Sequence, residues 1–420
     1  MLLLAGLVLR VAYAWVAAGV LPWTDMLGYD NARLALLHGR QYPADWPPVY
    51  PAFLAAVSFV FGEGYFALYA AQALVSSLTC LVIYLIARDT FGGTAGALAL
   101  LISCLYVDMA WYSAVMMAET LGVLLLSVVV YLLLRRKSPV LAGVFFGLTC
   151  LVKGVYLITF PALLLWILLR NDRKAAFASI LKFTVFTFLV ISPWTIRNYR
   201  VYKGFVLLAP QDGASFFLGH NPTATGGADF NFVGQDFAAW FTDKSKSELE
   251  RGRIARKMAV EYALSHPARE VQLFFLKLSK YWSLRTHFDM NNGDYPLKRP
   301  FFFLSIATHM LIFPACFLGA VFSLKNRDAL VSTMAIGLNT LVFTTLFFAS
   351  GRMRYQLVPF IIILAGYGFS LLPEIIGKLR KSAAADISGK LAAAAALTIL
   401  LYANFIYQAL EKHADIARRF

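Results

Sequence analysis

Runs of apolar residues dominate the chain, near 2–21, 65–87, 92–110, 114–134, 139–152, 155–169, 175–194, 301–323, 328–349, 357–372 and 390–408. A helix needs about 20 apolar residues to cross the ~30 Å hydrocarbon layer of a bilayer, so the pattern predicts a polytopic α-helical membrane protein with about eleven spans. Two polar stretches interrupt it, 22–64 and 195–300. They divide the chain into an N-terminal transmembrane module (1–194) whose first loop is 22–64, a polar domain (195–300) and a C-terminal transmembrane module (301–420). Within 195–300, Phe205-Val206-Leu207-Leu208 and Phe216-Phe217-Leu218 read as short strands either side of a Gln211-Asp212-Gly213 turn. Helices follow: Ser247-Glu248-Leu249-Glu250 has capping-box spacing, and Pro267 suits the first turn of a second helix reaching about Leu284. The expected fold is therefore a helical membrane bundle with a small mixed α/β domain on one face.

Composition agrees. Of the 420 residues 60% are hydrophobic and 15% charged, against about 25% charged in soluble domains, which excludes an ordinary soluble globule. The net charge of +15 does not point to nucleic acid, because the bases gather between apolar runs: Arg88; Arg135, Arg136 and Lys137; Arg170, Arg173 and Lys174; Lys325 and Arg327; Lys378, Arg380 and Lys381. Counted alternately from the first span, all five groups fall on one face, which the positive-inside rule makes cytoplasmic together with the N-terminus. Leu2-Leu3-Leu4 opens the chain without a basic leader, so the first span is expected to be retained. The four cysteines, Cys80, Cys104, Cys150 and Cys316, lie inside apolar runs without metal-ligand spacing. His38, His266, His287 and His309 also lack ligand spacing, and no nucleotide-binding loop occurs.

The candidate chemistry collects on the opposite, outer face. In the first loop Tyr29, Ala32 and Leu36 recur at helical spacing and Gly39 supplies a stop, which places Asp25 at the start of a short surface helix. Asp25 there either caps the helix or acts as a general base. Asp108 and Glu119 flank the next outer turn; a carboxylate at the hydrocarbon edge must face protein or a cavity. Two basic groups break the orientation rule, Arg197 with Arg200 and Lys203, and Arg352 with Arg354. Such guanidinium groups either anchor helix ends by snorkelling or grip a phosphate through forked hydrogen bonds. Lys153, between two short spans, is a further candidate. A site on that face has no access to cytosolic nucleotide sugars, so a transferred group arrives already activated on a lipid.

As an ordered set these residues are familiar. Asp25 with Tyr29 and Gly39; Trp46-Pro47-Pro48-Val49-Tyr50-Pro51; Met117-Ala118-Glu119-Thr120-Leu121; Pro193-Trp194-Thr195-Ile196-Arg197-Asn198-Tyr199; Gly219-His220-Asn221-Pro222 with Thr225-Gly226-Gly227; and Arg352-Met353-Arg354-Tyr355-Gln356-Leu357-Val358-Pro359 together resemble the GT-C membrane glycosyltransferases. The resemblance is to the bacterial branch akin to dolichyl-phosphate-mannose-protein mannosyltransferases and the lipid A aminoarabinose transferase, over about residues 1–370. It implies an inverting transferase of the bacterial inner membrane. Such an enzyme passes a sugar from a polyprenyl-phosphate carrier to a lipid, glycan or protein hydroxyl on the outer face. By the same resemblance Asp25 and Glu119 are the catalytic acids, and Tyr29, Lys153, Arg197, Asn221, Arg352 and Arg354 bind substrate. A single-phosphate donor does not demand a metal, and a divalent metal stays open, with Glu119 or Asp108 as its candidate ligands. Two departures stand out: Met26 follows Asp25 where the mannosyltransferases have Glu, and Trp46 stands where the aminoarabinose transferase has Lys. The alternative reading from the residues alone is a transporter or lipid flippase, which predicts charges near mid-span and repeat symmetry.

Overall fold

The computed structural model describes residues 1–42, 46–210, 212–227, 245–284, 296–381 and 385–417. Each of the eleven apolar runs is helical in it. In chain order the helices are α1 (Leu2–Ala17), α2 (Asp25–Leu37), α3 (Val49–Phe61), α4 (Tyr65–Phe91), α5 (Gly93–Leu105), α6 (Val107–Ser113), α7 (Glu119–Leu134), α8 (Pro139–Val152) and α9 (Phe160–Arg170). They continue with α10 (Arg173–Tyr202), α11 (Asp212–Gly219), α12 (Glu248–Ser265), α13 (Pro267–Tyr281), α14 (Lys298–Ser323), α15 (Leu330–Thr345), α16 (Val358–Arg380) and α17 (Ser388–Ala417). Two 3-10 turns, Gly154–Thr159 and Gly351–Leu357, lead into α9 and α16.

Among the described residues five helices are long and apolar enough to cross a membrane: α4, α10, α14, α16 with its 3-10 turn, and α17. The pair α5 and α6, bent by 51°, makes a sixth. The other apolar helices have 10–17 residues. At a 1.5 Å rise, 14 residues such as those of α8 reach only about 21 Å, short of the ~30 Å core. The apolar pattern thus locates the helices but does not by itself make eleven complete spans. It also missed α3, an apolar helix inside the segment read as the first loop.

The mixed α/β expectation for 195–300 is corrected. No strand occurs among the described residues, and Phe216-Phe217-Leu218 lie in helix α11. Phe217 packs with Ala255 and Ala259 of α12, so these aromatic residues form a helix–helix contact and need no ladder. Phe205 to Leu208 is irregular; its carbonyls are taken by the end of α10, where Asn198 donates to Val206 and Leu208 and the Trp194 indole also donates to Leu208. Of the turn between the two, Gln211 lies outside the described residues, as does His287. The helix starts are as expected: Ser247 Oγ accepts from the Glu250 N–H at 3.2 Å, and Pro267 opens α13. Likewise α2 ends where Gly39 takes a φ of 62°, a conformation glycine adopts without a Cβ penalty.

At the centre of the bundle, α16 is buried on every side from Val358 to Gly366. Small residues allow that depth. A Cβ on Gly319 of α14 falls 2.0 Å from the Leu364 carbonyl oxygen, and a Cβ on Gly368 falls 2.0 Å from that of Ala315, so α14 and α16 touch backbone to backbone, as small residues permit in membrane bundles. Gly368→Val is expected to lower the melting temperature measured in detergent, because overpacking a tight contact costs about 1–3 kcal/mol; an unchanged melting curve contradicts this contact. Arg10 pins α1 to α4 and α5: fully buried, it donates to Ser76 Oγ and to the carbonyls of Gly6, Ser103 and Cys104.

Candidate active site

Two carboxylates stand at helix N-termini, where free N–H groups and the helix dipole favour negative charge. Asp25 is the first residue of α2 and Glu119 the first of α7. The capping alternative for Asp25 is not realised in its side chain, which points to Arg352: Asp25 Oδ2 lies 2.8 Å from Arg352 Nη2. The preceding Thr24 holds a φ of 48° and ψ of −126° without capping the helix through its side chain. A β-branched residue in that region is strained, and the strain sits directly beside the carboxylate.

Arg352 joins the two acids. Its Nε donates to Glu119 Oε1 at 2.9 Å while its Nη2 serves Asp25, and Lys153 Nζ reaches the same Glu119 Oε1 at 2.9 Å. Residues 25, 119, 153 and 352 thereby form one chain of charges, Asp25–Arg352–Glu119–Lys153, balanced at two of each sign. Its two inner members are the most buried. The Glu119 side chain is 5% exposed and Arg352 15%, against 40% for Asp25 and 28% for Lys153, so the cluster is anchored in protein at Glu119 and reaches the surface at both ends, most at Asp25. Glu119 Oε2 is buried and accepts no hydrogen bond from the described residues, leaving one acceptor for an incoming donor.

Neighbouring elements fix this arrangement. Gln356 donates to Asn339 Oδ1 at 2.8 Å, seating the 3-10 turn that carries Arg352 on α15. Tyr355 packs on Tyr112 with centroids 4.0 Å apart, and the Tyr156 hydroxyl donates to the Glu119 carbonyl at 3.3 Å. Tyr29 is buried against Trp46 and Tyr50, with centroids at 4.3 and 4.8 Å, close enough to feel the charges of Glu119, Asp25 and Arg352. Trp46 lies over Gly28, where a Cβ would come within 2.6 Å of its ring; the aromatic residue at that motif position therefore walls the site beside α2.

The other candidates go elsewhere. Arg354 is two residues from Arg352, about 240° around a 3-10 turn, and cannot share its direction. It is buried, donates to the carbonyls of Tyr281 and Ser283, and lies over the Phe313 ring. Asp108 forms a second buried cluster, accepting from Ser305 Oγ at 2.5 Å and lying 3.3 Å from His309 Nε2; it lines a small cavity with Arg354, Tyr106 and His309. Arg197 stacks on Trp194 and donates to the Tyr42 carbonyl. Asn221 is buried in its own turn, donating to the Phe217 carbonyl and accepting from Thr223. No group of three His, Cys, Asp or Glu side chains among the described residues is placed to hold a metal ion. In the charged chain a guanidinium lies between the two carboxylates, bonded to one oxygen of each.

Sequence reasoning missed a polar cluster in the adjoining helical layer. His220 Nδ1 lies 2.7 Å from Glu270 Oε2, and Lys277 Nζ lies 3.1 Å from His220 Nε2. Burial, and then the Lys277 charge, push the His220 pKa down from 6.5; burial brings Lys277 down to about 8. Both folded pKa values lie below the unfolded ones, so the unfolded chain binds more protons and stability falls as pH drops through about 6.5 for His220. The melting temperature is therefore expected to decline from pH 7 to 5, and less steeply in His220→Gln. Equal slopes for both proteins contradict the assignment.

Residues 45–196 match the family model for dolichyl-phosphate-mannose-protein mannosyltransferase. The apo crystal structure of the Archaeoglobus fulgidus oligosaccharyltransferase superposes with a TM-score of 0.53 at 16% identity, covering 96% of this chain and 55% of that one. Its counterpart AglB from the same organism, in complex with an inhibitory peptide and a dolichol-phosphate, gives 0.52 at 14% identity with the same coverages. This chain thus spans about half their length. ArnT from Cupriavidus metallidurans bound to undecaprenyl phosphate aligns over 92% of this chain and 78% of its own at 16% identity, with a TM-score of 0.44. No curated protein matches the sequence. Residues 45–196 thus match the dolichyl-phosphate-mannose-protein mannosyltransferase family model, and the chain shares the fold of the Archaeoglobus fulgidus oligosaccharyltransferase over the part of that protein it covers.

Proposed function

We propose that this integral membrane protein transfers a sugar from a polyprenyl-phosphate carrier to an acceptor hydroxyl on a lipid, glycan or protein. The observation that carries the reading is the Asp25–Arg352–Glu119–Lys153 chain, assembled from four distant segments. It places a half-exposed carboxylate beside a guanidinium, as proton acceptor and phosphate grip require. The family match over 45–196 and the likeness to a fold solved with dolichol-phosphate support a lipid-phosphate donor.

In the reaction the acceptor oxygen attacks the anomeric carbon from the face opposite the phosphate, so the configuration inverts. The acceptor proton passes to the Asp25 carboxylate, the bond from carbon to the phosphate oxygen breaks, and polyprenyl phosphate leaves with the electron pair. Arg352 stabilises the charge gathering on that phosphate, with Lys153 adding a second cation. Glu119 holds both cations in place, and Tyr29 walls the acceptor side. Arg197, Arg354 and Asn221 shape the surrounding loops in this account.

The orientation follows the basic clusters: the N-terminus is cytoplasmic and the site faces the periplasm of a bacterial inner membrane. The proposed modules are 1–194, 195–300 and 301–420, with the first boundary inside α10, which runs on to Tyr202, and the second inside α14, which starts at Lys298. Membranes bearing the protein, supplied with a mixed pool of polyprenyl-phosphate sugars and native acceptors, are expected to consume one donor and release its free carrier, read by mass spectrometry. An untouched donor pool, shown to be complete and presented to correctly inserted protein, overturns the reading.

A further inference from the structure

Helix α13 turns charged groups inward and leaves large apolar side chains outside. Glu270, Leu273, Lys277 and Tyr281 recur at i, i+3, i+7 and i+11, one face of a helix; Leu273, Lys277 and Tyr281 are buried and Glu270 is bonded to His220. The roughly opposite stripe, Ala268, Val271 and Phe275, is apolar and points out of the protein, with Val271 59% and Phe275 62% exposed. Two charged groups, Glu270 and Lys277, are thus turned inward while the outward face, with Gln272 as its exposed polar member, is led by exposed Val271 and Phe275, a distribution water does not favour.

The far end of α13 is tied to a membrane helix. Ser279 donates to Asn404 of α17 at 2.5 Å, Asn404 and Gln408 both donate to the Ser279 carbonyl, and Ser283 donates to Gln408 at 2.7 Å. Ser279 follows Phe275 by one turn. On α17 the exposed apolar residues continue past these anchor points, through Ile406 and Tyr407 to Leu410, within the candidate span that ends at Glu411. The α13 stripe is therefore continuous with a surface that faces lipid. The preceding helix α12 presents exposed Arg253, Arg256 and Lys257, bases suited to phospholipid headgroups.

We infer that α13 is an interfacial membrane helix, with Val271 and Phe275 seated in the acyl-chain boundary of the leaflet nearest the Asp25–Arg352 cluster and the bases of α12 at headgroup level. The partner is the phospholipid bilayer. The link to the site is direct, because the Tyr281 and Ser283 carbonyls at the end of α13 hold Arg354, two residues from Arg352. Lipid contact on α13 thus braces the turn that carries the phosphate grip.

The test uses the full-length protein, whose four native cysteines are buried among the described residues, so that a spin label goes to an introduced one. Val271→Cys, Phe275→Cys and, on α12, Lys257→Cys are labelled and reconstituted in phosphatidylethanolamine–phosphatidylglycerol vesicles. Collisions with oxygen and with a water-soluble nickel chelate are then compared. At 271 and 275 the oxygen-to-nickel ratio is expected to exceed that at 257 several-fold. Nickel access at 271 and 275 equal to that at 257 overturns the inference in favour of a water-facing helix. Exclusion of both reagents overturns it in favour of a protein partner or a second copy. The two labelled stripe positions guard against one variant failing to fold, and none of the outcomes depends on transferase activity.

Discussion

Arg352→Ala is expected to lose carrier binding and a large part of the protein's stability together. The guanidinium is 15% exposed and bonded to Glu119, which is 5% exposed; removing one partner of a buried charge pair costs about 3–5 kcal/mol, because the other charge is left in a poor environment. Lys153 remains on Glu119 Oε1, but Oε2 already lacks a partner. Arg352→Lys separates the two losses. An ammonium retains the positive charge beside Glu119 but cannot fork between Glu119 and Asp25, so this variant is expected to recover much of the melting temperature while turnover stays low. In the proposed reaction Arg352 Nη2, held by Asp25 in the free protein, is expected to be taken over by an arriving phosphate, which frees the carboxylate only once the donor is bound. Binding of polyprenyl phosphate to detergent-solubilised protein and a melting curve check the account. Wild-type carrier affinity in Arg352→Ala would sink the phosphate assignment.

Asp25→Asn is expected to behave in the opposite way, losing turnover while keeping fold and carrier. General bases contribute about 10²–10⁴-fold to rate, and an amide cannot accept the acceptor's proton, so kcat falls by that order. Stability changes little, since Asp25 is 40% exposed and such ion pairs contribute about 0–1 kcal/mol. Carrier affinity stays equal or rises, because the substitution removes the anion that competes with phosphate for Arg352. The signature is thus a loss in kcat without a rise in KM for the donor. A matched loss of carrier binding indicates that Asp25 serves binding rather than proton transfer.

The bundle was legible because apolar runs and their basic punctuation are one-dimensional signals: every run is largely helical, although 92–110 breaks into α5 and α6 and 155–169 opens with a 3-10 turn, and the starts of α12 and α13 followed from Ser247 and Pro267. The strands read at Phe216 to Leu218 failed because short aromatic runs satisfy either period, and packing on Ala255 and Ala259 chose the helix. At the site, Asp25, Glu119, Lys153 and Arg352 stood out as charges at the edges of apolar runs, and the structure brings them together. Arg354 carried the same signal but faces away, since 3-10 geometry parts residues i and i+2. That distinction needs the local conformation. The His220–Glu270–Lys277 cluster joins residues 50 and 57 apart in sequence, and no spacing rule announces it.

The most direct test of the central claim compares wild-type protein with Asp25→Asn in sealed vesicles containing the donor identified from the mixed pool and its acceptor, with free polyprenyl phosphate quantified by mass spectrometry. Release by the wild type that falls about 10²–10⁴-fold in the variant, with carrier binding retained, is the predicted result. Equal release by the two proteins contradicts the assignment of Asp25 as base, and release by neither, with insertion and donor verified, contradicts the transferase itself and favours a transporter.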